Sequence, residues 1–329
     1  MKFLIEGTGS IGQRHYRNAR ALGHDAALLR TSTSMRSFVQ EFFDAERKEG
    51  REPLVFTDLK SATDSYKPDA LIIGNPNHLH ATSALEGAKK GLHLFIEKPV
   101  NHSPEGLTEL VQVVEEKKLV CMIGYNLRFH PLLERLKSLI ESGEMGDILS
   151  ANVEVGENII DWHPWEDYRD TYAPYVKSGG GSLLCFSHDI DYLYWLLGTP
   201  RDIFAGGGKI TPLEGDAEDL VQTLWRYENG SVAILHIDYF QRPKVRTLKI
   251  VGTKLMGVWD AYGALDVYKA QTGEKRREET PQGFERNHMF IAQFKDFVRS
   301  IETGTPPRTP LSQGIEVLTI IDRIKDALV

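Results

Sequence analysis

Cysteine is scarce: the 329-residue chain has two, Cys121 and Cys185. Two cannot build a disulfide framework, and such sparing use suits a reducing compartment. No apolar run is long enough to span a bilayer, and Met1-Lys2 leads straight into a strand with no signal peptide. These absences argue against a membrane protein and predict a soluble, cytoplasmic one. Basic excess is lacking too. Lys and Arg number 39 against 46 Asp and Glu, for a formal net charge of −7. With nothing in surplus to neutralise phosphates, no nucleic-acid partner is expected. The chain shows no internal repeat and no low-complexity tract. His188, Asp189 and Asp191 lack the further ligands that a catalytic zinc wants, so no metal is expected.

What is present is ordinary globular composition, 41% hydrophobic and 26% charged, in a length beyond what one core usually supports. Two domains are expected, residues 1–124 and 125–329. In the first, buried-strand runs alternate with helical stretches, the pattern of a parallel sheet covered on both faces. Phe3-Leu4-Ile5 feeds Gly7-Thr8-Gly9-Ser10-Ile11-Gly12, a GxGxxG with a strand before it and a helix after. Gly7 permits the tight turn, Gly9 lets the backbone approach a pyrophosphate, and Gly12 lets helix and strand pack closely. The helix that starts at Ser10 and Ile11 offers its free N–H groups to phosphate oxygens. A bound dinucleotide is the expectation.

The next strand, Ala26-Ala27-Leu28-Leu29, ends at Arg30-Thr31-Ser32, 18 residues past Gly12. An NAD-specific site wants a carboxylate there for the ribose 2′-OH, whereas a guanidinium can grip a 2′-phosphate. NADP(H) is therefore expected in preference to NAD(H), which stays possible; the alternative is that Arg30 merely opens a surface loop. A further strand at 69–73 runs into Gly74-Asn75-Pro76-Asn77-His78-Leu79-His80. His93-Leu94-Phe95-Ile96 then ends abruptly in Glu97-Lys98-Pro99. Pro99 biases Lys98 toward an extended conformation, which holds the ammonium at the carboxyl end of a strand, where open α/β sheets bind ligands. A lysine there can donate to a carbonyl or alkoxide; the plain alternative is a solvated lysine after an edge strand. Ser103-Pro104 reads as the N-cap and first residue of a helix.

After residue 124 the pattern changes. Strands are expected at 148–157, 219–227, 231–240, 245–251, 254–260 and 264–268, with Asn229-Gly230 centring a hairpin turn. They predict an antiparallel sheet with one apolar face. Ile234, Trp225 and Tyr239 at alternating positions predict self-association through its outer side. Between residues 161 and 170 lies a polar loop with Trp165, Tyr168 and Arg169. Rings beside charged groups suit a pyranose, although tryptophans that plug the domain are the commoner case. Two helices close the chain, striped by Phe290, Phe294, Phe297 and Ile301, then by Val317, Ile320, Ile321, Ile324 and Leu328. The last, 312–329, is expected to pack back on the first domain.

In this order, Gly7 to Gly12, Asn75-Pro76-Asn77 with His80, Glu97-Lys98-Pro99, Arg128-Phe129, and Gly179-Gly180-Gly181 followed by His188, Asp191, Trp195 and Gly198 make the chain resemble the Gfo/Idh/MocA oxidoreductases, the glucose–fructose oxidoreductase and inositol dehydrogenase family. The resemblance implies an α/β protein: an N-terminal Rossmann domain with a doubly wound parallel sheet, then an α/β domain with a large, mostly antiparallel open sheet. It implies nicotinamide-dependent hydride transfer at a carbinol or carbonyl carbon of a sugar or cyclitol. With Arg30-Thr31-Ser32 the cofactor is expected to be NADP(H), the substrate class extends to sugar nucleotides, and the self-associating sheet is expected to give a homodimer or homotetramer. Lys98 matches the family lysine that hydrogen-bonds the reacting oxygen, and His188 the histidine that acts as general acid/base. Glu97 matches the acid that holds the nicotinamide ribose, with Asn75, Asn77 and His80 also on the cofactor. Arg128, Trp165, Tyr168, Arg169 and Asp191 are the substrate-binding candidates. One departure stands out. Many members carry an aspartate shortly before the histidine, but this chain reads Cys185-Phe186-Ser187-His188, leaving Asp189 or Asp191 to substitute. Two other function classes stay open: a glycosidase or epimerase that oxidises transiently on a retained cofactor, and a non-catalytic NADP-sensing regulator.

Overall fold

Phe3, Leu4 and Ile5 have no exposed surface, and the strand they form is central to the first of two sheets. The structure, a computed structural model, describes residues 1–31, 36–162 and 166–328. It divides into two compact units, one of Met1–Gly124 with Phe290–Ile315, the other of Tyr125–Met289 with Glu316–Val329.

In the first unit, β1 (Lys2–Glu6), β2 (Asp25–Leu29), β3 (Val55–Phe56), β4 (Ala70–Ile73), β5 (His93–Ile96) and β6 (Cys121–Ile123) form one parallel sheet in the order β3-β2-β1-β4-β5-β6. This is the expected doubly wound Rossmann arrangement. Strand order reverses between β1 and β4, so the ligand crevice of the sheet lies at their carboxyl ends. The connecting helices are α1 (Ser10–Ala21), α2 (Ser37–Lys48), α3 (Leu59–Ser65), α4 (His80–Lys89) and α5 (Leu107–Glu116). The last begins later than Ser103-Pro104 suggests. Asn101 Nδ2 donates to the carbonyls of Ser103 (2.8 Å) and Glu105 (3.2 Å), which folds that segment as a turn. Gly106, at φ +78°, then releases the chain into the helix.

The second unit contains α6 (Pro131–Glu141), β7 (Ile148–Gly156), α7 (Ser182–Cys185), α8 (Ser187–Leu197), β8 (Asp202–Gly208), β9 (Leu220–Arg226), β10 (Val232–Asp238), β11 (Val245–Gly252), β12 (Leu255–Asp260), β13 (Leu265–Lys269) and β14 (Lys275–Glu278). Its sheet runs β14-β13-β12-β11-β7-β10-β9-β8, antiparallel except where β7 lies parallel to β10. Gly230, at φ +83°, makes the expected hairpin between β9 and β10.

The outer face differs from the expected one. Register pairs Ala233 with Trp225 and Ile234 with Leu224, so Trp225 points to the covered side, as does Tyr239, and both are buried. Exposed apolar side chains instead form one cross-strand row, Phe204, Leu224 and Ile234, at 53%, 38% and 50% exposure.

Two helices, α9 (Arg286–Thr303) and α10 (Leu311–Asp326), end the fold. Phe290–Ile315 groups with the first unit, although 125–329 was the span expected for the second domain. The reason is local packing: the Phe294 ring lies 4.8 Å from that of Phe3, and Gln293 and Thr309 side chains donate to the Ile123 carbonyl. The remainder of α10 belongs to the second unit, where Arg323 donates to the carbonyls of Pro200 and Arg201.

Candidate active site

Gly7 sits at φ +98°, a conformation that side chains rarely adopt, and a Cβ on Gly12 would collide with the Gly7 carbonyl. A Cβ on Gly9 would meet nothing within 4 Å. The loop is therefore closed against itself at Gly7 and Gly12 and open at Gly9, the shape that lets a pyrophosphate approach the backbone. No side chain of the described residues caps α1, and its first turn holds no acid, which leaves its N–H groups and dipole for an anion, with Ser10 and Ile11 as its first two residues.

At the carboxyl end of β4, Asn75 Nδ2 donates to Glu6 Oε1 (3.1 Å) and to Ser83 Oγ (2.8 Å), and Ser83 donates to the same Glu6 oxygen (3.0 Å). Burial pushes the Glu6 carboxyl above its usual range; the two donors pull the other way. Asn75 Oδ1 is buried with no partner among the described residues, an acceptor awaiting a donor such as a ribose hydroxyl or carboxamide. Asn77 is buried at the start of a 3-10 turn, Asn77–Leu79. His80 takes a supporting position. Its Nδ1 is 2.7 Å from the Pro99 carbonyl oxygen and its Nε2 3.0 Å from that of Asn75, and burial pushes its pKa down. It ties the Asn75 loop to the backbone beyond Lys98.

Glu97 follows β5 directly. Its Oε1 is 2.7 Å from His15 Nε2, and its Oε2 accepts from the Lys98 N–H (3.3 Å). Lys98 is half-buried, and the Lys98–Pro99 peptide is cis. Arg30 and Thr31 stand just past β2, partly or fully exposed, with the Arg30 N–H bound to the Phe56 carbonyl (2.9 Å). Ser32 lies outside the described residues.

In the second unit, His188 is half-buried in the first turn of α8, with the Tyr125 ring edge-on at 5.8 Å. The two nearby carboxylates take arginines. Asp191 receives Arg128 bidentately (2.6 and 3.0 Å), both side chains at 1% exposure or less. Asp189 receives Arg246 (3.1 Å to each oxygen) and the Tyr192 hydroxyl (2.8 Å). Arg128 and Asp191 were substrate candidates; the structure pairs them with each other.

Tyr168 and Arg169 line a cavity of about 530 Å³ with Ile160, Glu166, Asp167, Pro212 and Glu214. Tyr168 Oη accepts from the Glu214 N–H (3.0 Å), and Arg169 grips Asp167, holding that carboxyl down at about 2. Trp165 lies outside the described residues. Among the described residues no group of three or more His, Cys, Asp or Glu could hold a metal, and no helix is long and apolar enough to cross a membrane.

Family comparisons match two stretches of the chain. Residues 1–125 match the oxidoreductase family with an NAD-binding Rossmann fold, and residues 133–256 the GFO/IDH/MocA C-terminal domain. The chain belongs to the Gfo/Idh/MocA family. It is an NAD(P)-dependent oxidoreductase.

Among its Gfo/Idh/MocA relatives, the levoglucosan dehydrogenase of Pseudarthrobacter phenanthrenivorans is 29% identical over 317 residues, covering 82% of this chain and 80% of that protein. The D-xylose 1-dehydrogenase (NADP(+)) 2 of Haloferax volcanii is 24% identical, covering 99% and 97%. A solved levoglucosan dehydrogenase in complex with NADH shares the fold, with a TM-score of 0.84 at 22% identity over 99% of this chain and 96% of that one.

Sequence reasoning missed two residues of this Gfo/Idh/MocA site, His15 and Glu6. Each had a signal: a histidine three residues past Gly12 on the covered side of α1, and an acid ending the apolar run Phe3-Leu4-Ile5 of β1.

Proposed function

We propose that this oxidoreductase moves hydride between a nicotinamide and a carbinol or carbonyl carbon of a sugar, cyclitol or sugar nucleotide, using Lys98 and His188 for the hydroxyl proton. The observation that carries the reading is Glu97-Lys98-Pro99 at the carboxyl end of β5, in a sheet whose glycine loop fits a dinucleotide. Relatives named for levoglucosan, D-xylose and myo-inositol support the substrate class.

The bound nicotinamide supplies or accepts the hydride. The chain's own groups do the rest. Lys98 donates a hydrogen bond to the reacting oxygen, and His188 takes or returns its proton. Glu97 accepts from the nicotinamide ribose, helped by Asn75, while the glycine loop and α1 hold the pyrophosphate. Arg128 and Asp191 act as positioning residues that fix α8 beneath His188. Tyr168 and Arg169 bind sugar hydroxyls. Their cavity sets three carboxylates against one guanidinium, which favours an uncharged sugar over an acidic one.

A panel of neutral sugars, cyclitols and sugar nucleotides, read by nicotinamide absorbance, tests the reading: at least one should drive net NAD(P)H formation, with the neutral ones favoured. Sugar conversion with no net reduced cofactor would instead mark a retained-cofactor glycosidase or epimerase. Cofactor binding without any conversion would mark a regulator.

NADP(H) is the preferred cofactor in this reading, because Arg30 and Thr31 stand where NAD needs a carboxylate. Fluorescence titration should give tighter binding of NADPH than NADH, and Arg30→Ala should remove the difference. Equal affinities in the wild type contradict the preference.

A second copy of the chain is the proposed cover for the row Phe204, Leu224 and Ile234. Sedimentation velocity at micromolar concentration should show a dimer or tetramer, shifted toward monomer by Ile234→Asp. A wild-type protein sedimenting only as a 37.1 kDa species is incompatible with this.

A further inference from the structure

His15 is a buried histidine to which neither the glycine loop nor the hydride-transfer chemistry assigns a role. It is 1% exposed, on α1, with the Phe95 and Phe290 rings edge-on at 4.9 and 6.4 Å. Its Nε2 lies 2.7 Å from Glu97 Oε1, across 82 residues of sequence. A carboxylate only accepts, so Nε2 carries the proton and donates it. Nδ1 is buried with no partner among the described residues. The ring is therefore held by one polar contact and an apolar frame, and that contact is to Glu97.

Glu97 is confined on its other sides as well. Oε2 takes the Lys98 N–H, and a Cβ on Gly124 would lie 2.8 Å from the same oxygen, so only glycine leaves room for the carboxylate there. Of these restraints, His15 alone is a side chain, and it comes from α1, whose N-terminus is the proposed pyrophosphate site. One helix thus carries both features: an uncapped first turn suited to phosphates, and His15, a turn and a half further on, bonded to the carboxylate at the end of β5.

We infer that His15 is a positioning residue for nicotinamide binding, orienting the Glu97 carboxylate toward the nicotinamide ribose through its Nε2–H. The inference rests on the reading of Glu97 as the ribose acceptor. It predicts that removing the His15 donor costs affinity only in the nicotinamide-riboside half of the cofactor.

The experiment compares binding of NADH with binding of ADP, which lacks the nicotinamide riboside, in wild type, His15→Leu, His15→Gln and Glu97→Ala. His15→Leu should weaken NADH about 10-fold, the lower end for one hydrogen bond to a charged group, and leave ADP within about 2-fold. His15→Gln, whose amide can still donate, should recover most of the loss. Should His15→Leu not fold, His15→Phe, closer to the ring in shape, is read in the same way. Unchanged NADH binding without the donor, while Glu97→Ala binds NADH weakly, overturns the role of His15 alone. Equal losses of NADH and ADP overturn it too, because His15 would then merely support the glycine loop. NADH binding unaffected by Glu97→Ala removes the reading of Glu97 and this inference with it.

Discussion

Lys98→Ala should lower turnover by about 10²–10⁴-fold at saturating sugar and cofactor, the range for removing a positioned acid/base or electrostatic donor. The loss belongs in kcat as well as kcat/KM, because a hydrogen bond to the reacting oxygen strengthens as charge develops there. Lys98→Arg should recover little, since a guanidinium is bulkier and holds its protons near neutrality. Cofactor affinity should survive, because the phosphates rest on the loop at Gly7, Gly9 and Gly12 and on α1, not on Lys98. Were Lys98 only to shape the chain beside Pro99, the alanine variant would keep turnover within a few-fold.

The second large effect is on folding. Arg128→Leu should destabilise the protein by about 3–5 kcal/mol, the cost of leaving one member of a buried ion pair uncompensated. Asp191 is already pushed up by burial, with the Arg128 guanidinium working against that shift. Without the guanidinium the folded-state pKa rises further above its unfolded value. The sign follows from linkage: stability is then greatest at acid pH, where the carboxyl is protonated in both states, and falls as pH rises from the ordinary carboxylate range through the raised pKa. Thermal unfolding of the variant should therefore show a deficit that shrinks toward acid pH. Replacing both partners with apolar residues, Arg128→Met with Asp191→Leu, should restore much of the loss. A single variant within about 1 kcal/mol of wild type at neutral pH would mean that the pair carries little of the fold. Because His188 is on the same helix as Asp191, any folded single variant should also lose turnover.

Much of this molecule can be read directly from its sequence. Continuous apolar runs mark β1, β2, β4, β5 and β6, because strands of a parallel sheet are buried on both faces. The glycine loop and Glu97-Lys98-Pro99 are local motifs and need no partner to be recognised. What escapes is short, irregular or non-local. β3 has two residues, β8 ends in Gly206-Gly207-Gly208, and β14 is Lys-Arg-Arg-Glu, so none shows a strand period. Trp225 looks like a neighbour of Ile234 until register is known; a shift of one residue exchanges the faces of a strand. The least legible features are the polar pairs. Arg128 and Asp191 are 63 residues apart, His15 and Glu97 82. Sequence singles out Arg128, Asp191 and Glu97 but passes over His15, and only the folded chain shows which partner satisfies each. That pairing is why Arg128 and Asp191, candidate ligands of a sugar from sequence, are proposed here as supports of the helix that carries His188.

Single-turnover hydride transfer, followed by nicotinamide absorbance after rapid mixing of the cofactor-loaded enzyme with an active sugar, is the most direct measurement of the central proposal. The wild type should show a hydride step no slower than its steady-state turnover, and folded Lys98→Ala should slow that step itself by about 10²–10⁴-fold. An unchanged hydride step in folded Lys98→Ala would remove Lys98 from the chemistry.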